Sequence, residues 1–390
     1  MLVQKLGQHS TKIIMIVLSI AWFIIGWRVR EIFLNQDILL VEQGRNIILE
    51  NYDGDTPSSR ELSYAALRGM LYHIGDPRAV FYEPEIIARE REDSRGHYAG
   101  TGMAGDMQNG RLEVTQVNPG DPADQAGVQA GDAVIKIDDW ELQENTTYKE
   151  VSLMIRGPKG STVHLTVQRG DDILEFDVMR KTPIVVLTRT LESDIAYLYL
   201  RDFGLSSSRE MQRGLENLMA DDPQGLIWDL RGNGGGALTE TVKIMDYFLG
   251  EQVLLYSKDK TDTLVPYYGT DGGIATEIPL VVLIDSHTYS APEVAAAAIA
   301  ESDRGTLIGE TTYGKGTINT TFPLIDGSAI QVTVARWLSP EQHWYGDRGV
   351  PPKIWVEDDQ ATTEDEVLEC ALVWLQQEPL PPECSEPNTN

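Results

Sequence analysis

The strongest constraint on the fold is an alternation of strand-like and helix-like segments in the second half of the chain. IAYLYL (195–200) is an apolar and aromatic run of the strand type, and the amphipathic segment SSSREMQRGLENLM (206–219) follows it. The run GLIWDL (225–230), a glycine turn and another helical segment then repeat this order. Because such alternation is typical of a parallel sheet covered by helices, we expect an α/β core.

A helix made largely of small residues is predicted at APEVAAAAIA (291–300), and Ser290 stands directly before it. Alanine has the highest helix propensity, and Pro292 fits a first turn, where a missing N–H costs nothing. The backbone N–H groups of a helix start are unpaired and the helix dipole is positive there. Ser290 is therefore either a helix cap or a nucleophile, and the pattern alone leaves both open.

A second reactive group follows this helix. After the apolar strand segment TLI (306–308), the turn GETTYGKGT places Lys315 between Gly314 and Gly316. Glycines on both sides let the backbone approach another segment and leave the amine unshielded. A lysine carried from the end of a strand to a serine at a helix start would serve as its general base.

The segments SAPE, AAAAIAESDRGTLIGETTYGKGT and PLIDGSAIQVTVARWLSP resemble the carboxyl-terminal processing peptidases, serine proteases with a Ser–Lys dyad. In that family the nucleophile lies three residues before a glutamate and 25 before the lysine, spacings that Ser290, Glu293 and Lys315 reproduce. The resemblance covers most of residues 35–358. It implies a crotonase/ClpP-like α/β catalytic core in which Ser290 attacks the scissile carbonyl and neutral Lys315 takes its proton.

The turn DLRGNGGG (229–236) permits two interpretations. Gly232–Ala237 satisfies the dinucleotide pattern G-x-G-x-x-A after a strand and before a helix, although no second mononucleotide half is evident. The resemblance instead implies an oxyanion hole formed by the backbone N–H groups of Gly235 or Gly236 and of Ala291. We favour the oxyanion turn, in which Gly232 and Gly234 replace the family's usual Asn and Pro.

A second nucleotide-like pattern is weaker. Gly309–Lys315 matches the first seven positions of a phosphate loop, but Gly316 stands where a Ser or Thr would hold magnesium. A β-branched, strand-like segment follows it, whereas the phosphate loop needs a helix there. We therefore expect neither ATP binding nor any other cofactor.

One position departs from the family pattern. The processing peptidases carry a glutamine four residues after the lysine, where it orients the amine, and this chain has Asn319. An asparagine amide offers the same hydrogen-bonding groups on a stem one methylene shorter. The sequence thus predicts a serine endopeptidase in which Asn319 supports Lys315. The alternative is a catalytically silent peptide-binding protein of the same fold.

Residues 98–181 change in character, with short β-type runs separated by Gly and Asp turns. PGDPADQAGVQAGDAVIKIDDWEL and MIRGPKGSTVHLTVQR resemble a PDZ domain. Backbone N–H groups of the loop formed by Gly100, Thr101, Gly102 and Met103 would then bind a terminal carboxylate, while the adjoining strand edge pairs with an extended peptide. The expected partners are proteins or peptides with free C-termini.

An apolar run at residues 13–27, flanked by Lys12 and Arg28, is either a retained membrane anchor or a removed signal peptide. Because it lacks a small-residue cleavage site, we favour the retained anchor. The resemblance implies an extracytoplasmic catalytic domain held at the cell membrane by this single span. The expected organisation is the following: anchor 1–30, helical region 31–97, PDZ domain 98–181, peptidase core 182–360, and C-terminal helix with tail 361–390.

Charge and cysteine content restrict the partners and metals that this chain is expected to bind. The chain has 32 Lys and Arg against 60 Asp and Glu, a net charge of −28, which disfavours nucleic acid as a partner. Two cysteines, Cys370 and Cys384, cannot build a metal cluster by themselves, and whether they pair is left open. No metal is expected, and homo-oligomerisation is left open.

Overall fold

The computed structural model of the 390-residue chain describes residues 36–94, 99–117, 121–181, 185–271, 273–356, 365–382 and 384. The chain divides into two compact units, of which the first ends at Pro77 and the second begins at Arg78. The anchor expected at residues 13–27 lies outside the described residues. Among the residues that are described, no helix has the length and apolar character needed to span a membrane.

The described part of the first unit is helical, as the sequence predicts. It contains α1 (Gln36–Asn51) and α2 (Ser59–Ile74). The start of α2 is a capping box, because the Glu61 N–H donates to the Ser58 hydroxyl and the Ser58 N–H donates to the Glu61 carboxylate. Gly75, at a φ of +72°, ends the helix in the left-handed conformation that glycine adopts readily.

The second unit opens with β1 (Val80–Tyr82) and α3 (Pro84–Ser94). β1 lies within the region 31–97, which the sequence predicts to be helical. It pairs in antiparallel register with a strand near residue 330, so that Tyr82 faces Ala329. The segment from Gly75 to Pro77 thus contains both the end of α2 and the boundary between the two units.

An antiparallel sheet with two short helices fills residues 103–179, which fits the expected PDZ-like domain. Its strands run in the order β2-β3-β4-β6-β7, and β5 pairs with β4. The elements are β2 (Met103–Gln108), β3 (Arg111–Val117), α4 (Pro122–Ala126), β4 (Ala133–Ile137), β5 (Trp140–Glu141), α5 (Tyr148–Ile155), β6 (Thr162–Arg169) and β7 (Asp172–Met179). The domain packs on α3, where the Arg89 guanidinium donates to the Met154 carbonyl over 3.4 Å.

The expected parallel core is confirmed. A six-stranded sheet has the order β17-β14-β13-β10-β9-β8, and its neighbours are parallel except for the antiparallel pair β8 and β9. The elements in this part of the chain are β8 (Val186–Thr190), β9 (Ile195–Leu200), α6 (Ser207–Met219), β10 (Gly225–Asp229), α7 (Leu238–Leu249), β11 (Val253–Asp259), β12 (Leu264–Tyr268), β13 (Leu280–Ile284), α8 (Ala291–Glu301), β14 (Thr306–Gly309), β15 (Thr317–Pro323), β16 (Ala329–Leu338), β17 (Ile354–Trp355) and α9 (Glu366–Leu375).

Alternate residues of the parallel strands face opposite layers of the core. Leu198, Trp228 and Val282 belong to the cluster that contains α6, α7 and α8. Tyr197 and Ile227 belong to the cluster under α9. A sheet covered on both faces explains why its strands are continuous apolar runs rather than alternating ones.

The remaining strands form an antiparallel sheet in the order β1-β16-β11-β12, with β15 on β16. This sheet carries the segment that follows Lys315. On the far face of the parallel sheet, α9 is linked to the tail by a disulfide between Cys370 and Cys384. The two cysteines whose state the sequence leaves open are therefore paired.

Candidate active site

The carboxyl ends of three neighbouring parallel strands lead into the predicted reactive groups. β10 leads into the glycine turn, β13 leads to Ser290, and β14 leads to Lys315. Because parallel strands end at the same edge of a sheet, residues far apart in sequence meet there. The Lys315 Nζ atom lies 3.3 Å from the Ser290 Oγ atom, across 25 residues of chain.

Ser290 occupies the cap position of α8, yet its hydroxyl is directed to the lysine. Its backbone has φ +73° and ψ −111°, a conformation that L-residues rarely adopt and that is found at strained functional sites. The Ser290 carbonyl accepts the N–H of Glu293 at 3.0 Å. This bond belongs to the first turn of α8, and the Ser290 hydroxyl lies within hydrogen-bond distance of the Lys315 amine.

A buried carboxylate joins the serine segment to the lysine turn. Glu293 is fully buried, and its oxygens accept the Ser290 N–H at 2.7 Å, the Lys315 N–H at 3.0 Å and the Gly314 N–H at 2.5 Å. The Thr312 hydroxyl donates to the same carboxylate over 2.8 Å. Four donors on one charged acceptor fix the segments of Ser290 and Lys315 to the first turn of α8.

The two glycines beside the lysine are required by close backbone contacts. Gly314 and Gly316 have φ values of +86° and +63°. A Cβ atom at Gly316 would lie 2.4 Å from the Gly346 Cα atom, and one at Gly314 would lie 2.8 Å from the Gly349 N atom. The turn is therefore pressed against the segment that follows β16, as the glycine pattern predicts.

The surroundings of Lys315 favour its neutral form. Burial is the main cause that lowers the pKa of Lys315, from about 10.5 to about 8, and the positive charges of Arg78 and Lys149 lower it further. The negative charge of Glu293 acts in the opposite direction. An amine with a pKa near 8 is partly unprotonated at neutral pH, which a general base requires.

The glycine turn lies directly against Ser290, the predicted nucleophile. A Cβ atom at Gly235 would lie 2.8 Å from the Ser290 Cβ atom, so only glycine fits there. The Gly235 N–H donates to the Asn233 side chain over 2.9 Å. Within the described part of the chain, no acceptor is found for the N–H groups of Gly236 and Ala291.

The Asn319 amide points to other partners than Lys315. Its Nδ2 atom donates to the Thr333 hydroxyl at 3.2 Å and to the Arg78 carbonyl at 3.5 Å. The Thr317 hydroxyl donates to its Oδ1 atom at 3.4 Å. The sequence-based expectation that Asn319 orients the amine is thus not reflected in its hydrogen bonds.

The loop predicted to bind peptides borders a cavity between the PDZ-like domain and the core. All four of its residues, Gly100 to Met103, line this cavity. Gly100 exchanges both backbone hydrogen bonds with Lys181, so its N–H is already used. The wall is completed by Arg156 of the PDZ-like domain and by Arg201 of the core.

Arg78 and Arg201 were missed by the sequence interpretation. Arg78 belongs to the segment GDPR (75–78), within the region that the sequence predicts to be helical, and its charge acts on Lys315. Arg201 directly follows β9 and lines the cavity beside the Gly100–Met103 loop. No spacing rule links either arginine to its site, because both contacts depend on tertiary packing.

One group of metal-ligating side chains is found among the described residues, at Glu301, Glu341 and His343. The Glu301 carboxylate accepts hydrogen bonds from His343 Nδ1, the Tyr345 hydroxyl and the Glu341 N–H. These internal bonds account for the cluster without an ion.

Comparison with known proteins shows to which class of protein this fold belongs. Residues 194–356 match peptidase family S41, and residues 100–179 match a PDZ domain. A photosystem II D1 C-terminal processing protease superimposes with a TM-score of 0.62 at 27% identity, covering 80% of this chain and 86% of that one. The fold is therefore that of an S41 serine peptidase with a PDZ domain.

Curated relatives narrow this class. The chain is 31% identical to a carboxyl-terminal-processing protease of Synechocystis over 322 residues, 80% of this chain and 75% of that protein. It is 33% identical to the chloroplastic carboxyl-terminal-processing peptidase 2 of Arabidopsis thaliana, over 76% of this chain but only 60% of that protein's length. The chain belongs to the carboxyl-terminal processing peptidases of family S41.

Proposed function

We propose that this protein hydrolyses peptide bonds in proteins recognised through their C-terminal ends, by means of a Ser–Lys dyad. The single observation that carries the proposal is the 3.3 Å contact between the Lys315 amine and the Ser290 hydroxyl. Ser290 attacks the scissile carbonyl while neutral Lys315 accepts its proton, and an acyl-enzyme forms as Lys315 protonates the leaving amine. Water activated by the same amine then releases the acyl group.

The negative oxygen that develops during attack needs donors on the side of the glycine turn. The N–H groups of Gly236 and Ala291 support this role, because neither has an acceptor within the described residues. Ala291 directly follows Ser290, and Gly236 directly follows Gly235, which lies against Ser290. Gly235, the other candidate, already donates its N–H to the Asn233 side chain. Its part is to let the turn approach Ser290 closely. The hole is thus assigned to Gly236 and Ala291.

Peptide capture is assigned to the cavity beside the Gly100–Met103 loop. The N–H groups of Gly102 and Met103 are candidates for a terminal carboxylate, and Gly102 has a φ of +78° that only glycine adopts freely. Arg156 and Arg201 add positive charge to the same cavity. A free carboxylate at the end of a peptide chain is the ligand that this combination favours.

The location is also a proposal. The apolar run at residues 13–27 supports a single membrane anchor. The disulfide between Cys370 and Cys384 supports an oxidising, extracytoplasmic setting for the catalytic part, because such bonds are rare in the cytosol.

The test compares the full chain with its Ser290→Ala and Lys315→Ala variants on an unfolded protein that ends in an apolar C-terminus. Cleavage by the wild type that is lost in both variants supports the dyad. Cleavage that survives Lys315→Ala undiminished at neutral pH shows that the base is misassigned. Equal inertness of all three proteins, together with binding of the C-terminal peptide, favours the silent peptide-binding alternative instead.

A further inference from the structure

Tyr289, the residue before the nucleophile, contacts the catalytic amine through its ring. The Lys315 Nζ atom lies 5.0 Å from the centroid of the Tyr289 ring, within the range of a cation–π interaction. The ring is held from two further sides. Tyr313 packs edge-on against it with centroids 4.8 Å apart, and the Arg78 guanidinium donates to the Tyr289 hydroxyl.

The backbone of Tyr289 is fixed as firmly as its ring. Its N–H donates to the Asn233 carbonyl over 2.9 Å, and its own carbonyl lies against Gly235. The residue therefore connects the glycine turn, the nucleophile and the amine. Contacts within the protein therefore hold the Tyr289 ring in place beside Lys315.

The Lys315 amine needs this ring contact because its hydrogen bond to Ser290 does not persist through the reaction. Within the described residues, the hydrogen-bond acceptor found for Lys315 Nζ is Ser290 Oγ, and this oxygen becomes bonded to the acyl group during the reaction. Asn319 directs its amide elsewhere. In the tetrahedral intermediate that precedes the acyl-enzyme, Oγ is already bonded to the substrate carbon and the amine is an ammonium ion, which the face of an aromatic ring attracts.

We propose that Tyr289 is a positioning residue for the dyad, whose ring face holds the Lys315 amine on Ser290 and stabilises the ammonium form created when Ser290 loses its proton. This inference rests on the proposed Ser–Lys mechanism. The ring contributes no proton and does not contact the reacting carbonyl. It acts through Lys315 alone.

The inference predicts the direction in which the pKa of Lys315 changes when the Tyr289 ring is removed. Charged groups act on Lys315 from three elements: Arg78 before β1, Lys149 on α5 and Glu293 on α8. The Tyr289 ring lies beside the amine, and Tyr313 packs on that ring. Because the ring favours the ammonium form, its replacement by leucine lowers the pKa of Lys315. A merely structural loss would admit water to the amine and raise that pKa towards its usual value.

The experiment measures kcat, KM and the pH profile of kcat/KM for the full chain and for Tyr289→Leu and Tyr289→Phe. We expect Tyr289→Leu to lower kcat by about 3- to 10-fold with little change in KM. The acid limb should move down by about half a pH unit. Phenylalanine keeps the ring and loses only the Arg78 contact, so it should retain most of the wild-type kcat and acid limb.

Two results would overturn the inference. An acid limb that moves up in Tyr289→Leu indicates hydration of the amine. A Phe variant as impaired as the Leu variant shows that the hydroxyl and Arg78 carry the effect. Tyr247→Leu is the matched control for loss of a half-buried tyrosine, since its hydroxyl donates to the Ser208 carbonyl on another part of the core. It should leave the acid limb in place.

A readout without turnover separates this inference from the proposed function. Lysine labelled with ¹³C at Cε, with the Lys315 signal assigned from a Lys315→Met sample, reports the pKa of Lys315 by NMR in each variant. A lowered pKa in Tyr289→Leu supports the ring contact even if the wild type cleaves nothing, in which case the proposed function alone fails. An unchanged pKa overturns the ring contact even in an active enzyme.

Discussion

The dyad and the peptide cavity differ in how their parts are connected. Ser290 and Lys315 follow neighbouring strands of one sheet, and the buried Glu293 joins their backbones. The cavity lies between the PDZ domain and the core and is lined by side chains of both, such as Arg156 and Arg201. The catalytic geometry is thus fixed within one folding unit, whereas the geometry for capture depends on the contact between two domains.

The largest expected effect on kcat comes from a substitution at Glu293, the carboxylate that joins the Ser290 and Lys315 segments. Glu293→Gln replaces a charged acceptor of four donors by a neutral amide that can accept on one side only. We expect kcat to fall by about 100-fold, since the loss of charge-assisted hydrogen bonds costs ~3 kcal/mol. Steady-state kinetics on folded enzyme checks this.

Glu240→Gln is the matched control for Glu293→Gln. Glu240 is also a buried helical glutamate, and it accepts the Ser208 N–H and pairs with Lys243 away from the dyad. It should lower the melting temperature with little change in kcat. Equal loss of kcat in both variants would show that the Glu293 effect is one of general stability.

The burial of Lys315 should make the free energy of unfolding depend on pH. The pKa of Lys315 is lowered from 10.5 to about 8, so the unfolded chain binds more protons between about pH 8 and 10.5, and stability rises with pH across that window. Below pH 8 the burial costs roughly 3 kcal/mol. Lys315→Met should therefore raise the free energy of unfolding at pH 7 and abolish cleavage.

Urea denaturation at pH 7 and at pH 10.5 checks this expectation. The advantage of the Lys315→Met variant should shrink at the higher pH, because the wild-type amine is then largely neutral in the folded chain and about half neutral in the unfolded chain. A variant less stable than the wild type at pH 7 would contradict the assigned burial of the amine.

These effects show what the sequence could and could not predict. Ser290, Glu293 and Lys315 lie within 26 residues, and their spacing follows from one strand–helix–strand unit, so a local pattern sufficed to find them. Arg78 and Arg201 come from distant segments and meet their sites only through packing. The role expected for Asn319 depended on the length and direction of one side chain, which spacing does not determine.

A smaller effect should come from the cavity between the domains. Arg201→Ala removes a positive charge from the cavity wall and leaves the dyad intact. For a substrate with a free C-terminal carboxylate we expect KM to rise about 3- to 10-fold at unchanged kcat. A substrate with an amidated C-terminus is the control and should show no such difference. A fall in kcat with unchanged KM would place Arg201 in the catalytic geometry.

The smallest effect is expected at Asn319. A glutamine there has one more methylene and would reach Lys315 at the expense of a neutral hydrogen bond to Thr333. Asn319→Gln should give a kcat/KM equal to the wild type or up to about threefold higher. A large loss of activity would show that the Thr333 contact itself maintains the site.

The central claim is that the Ser290 hydroxyl carries the acyl group while Lys315 acts as its base. Rapid acid quenching during turnover of a slow ester or peptide substrate, followed by mass spectrometry of the digested protein, tests it directly. The account predicts an acyl adduct on the peptide that contains Ser290, abundant in the wild type and nearly absent in Lys315→Ala and Ser290→Ala. An adduct on another residue, or one of equal abundance in Lys315→Ala, would contradict it.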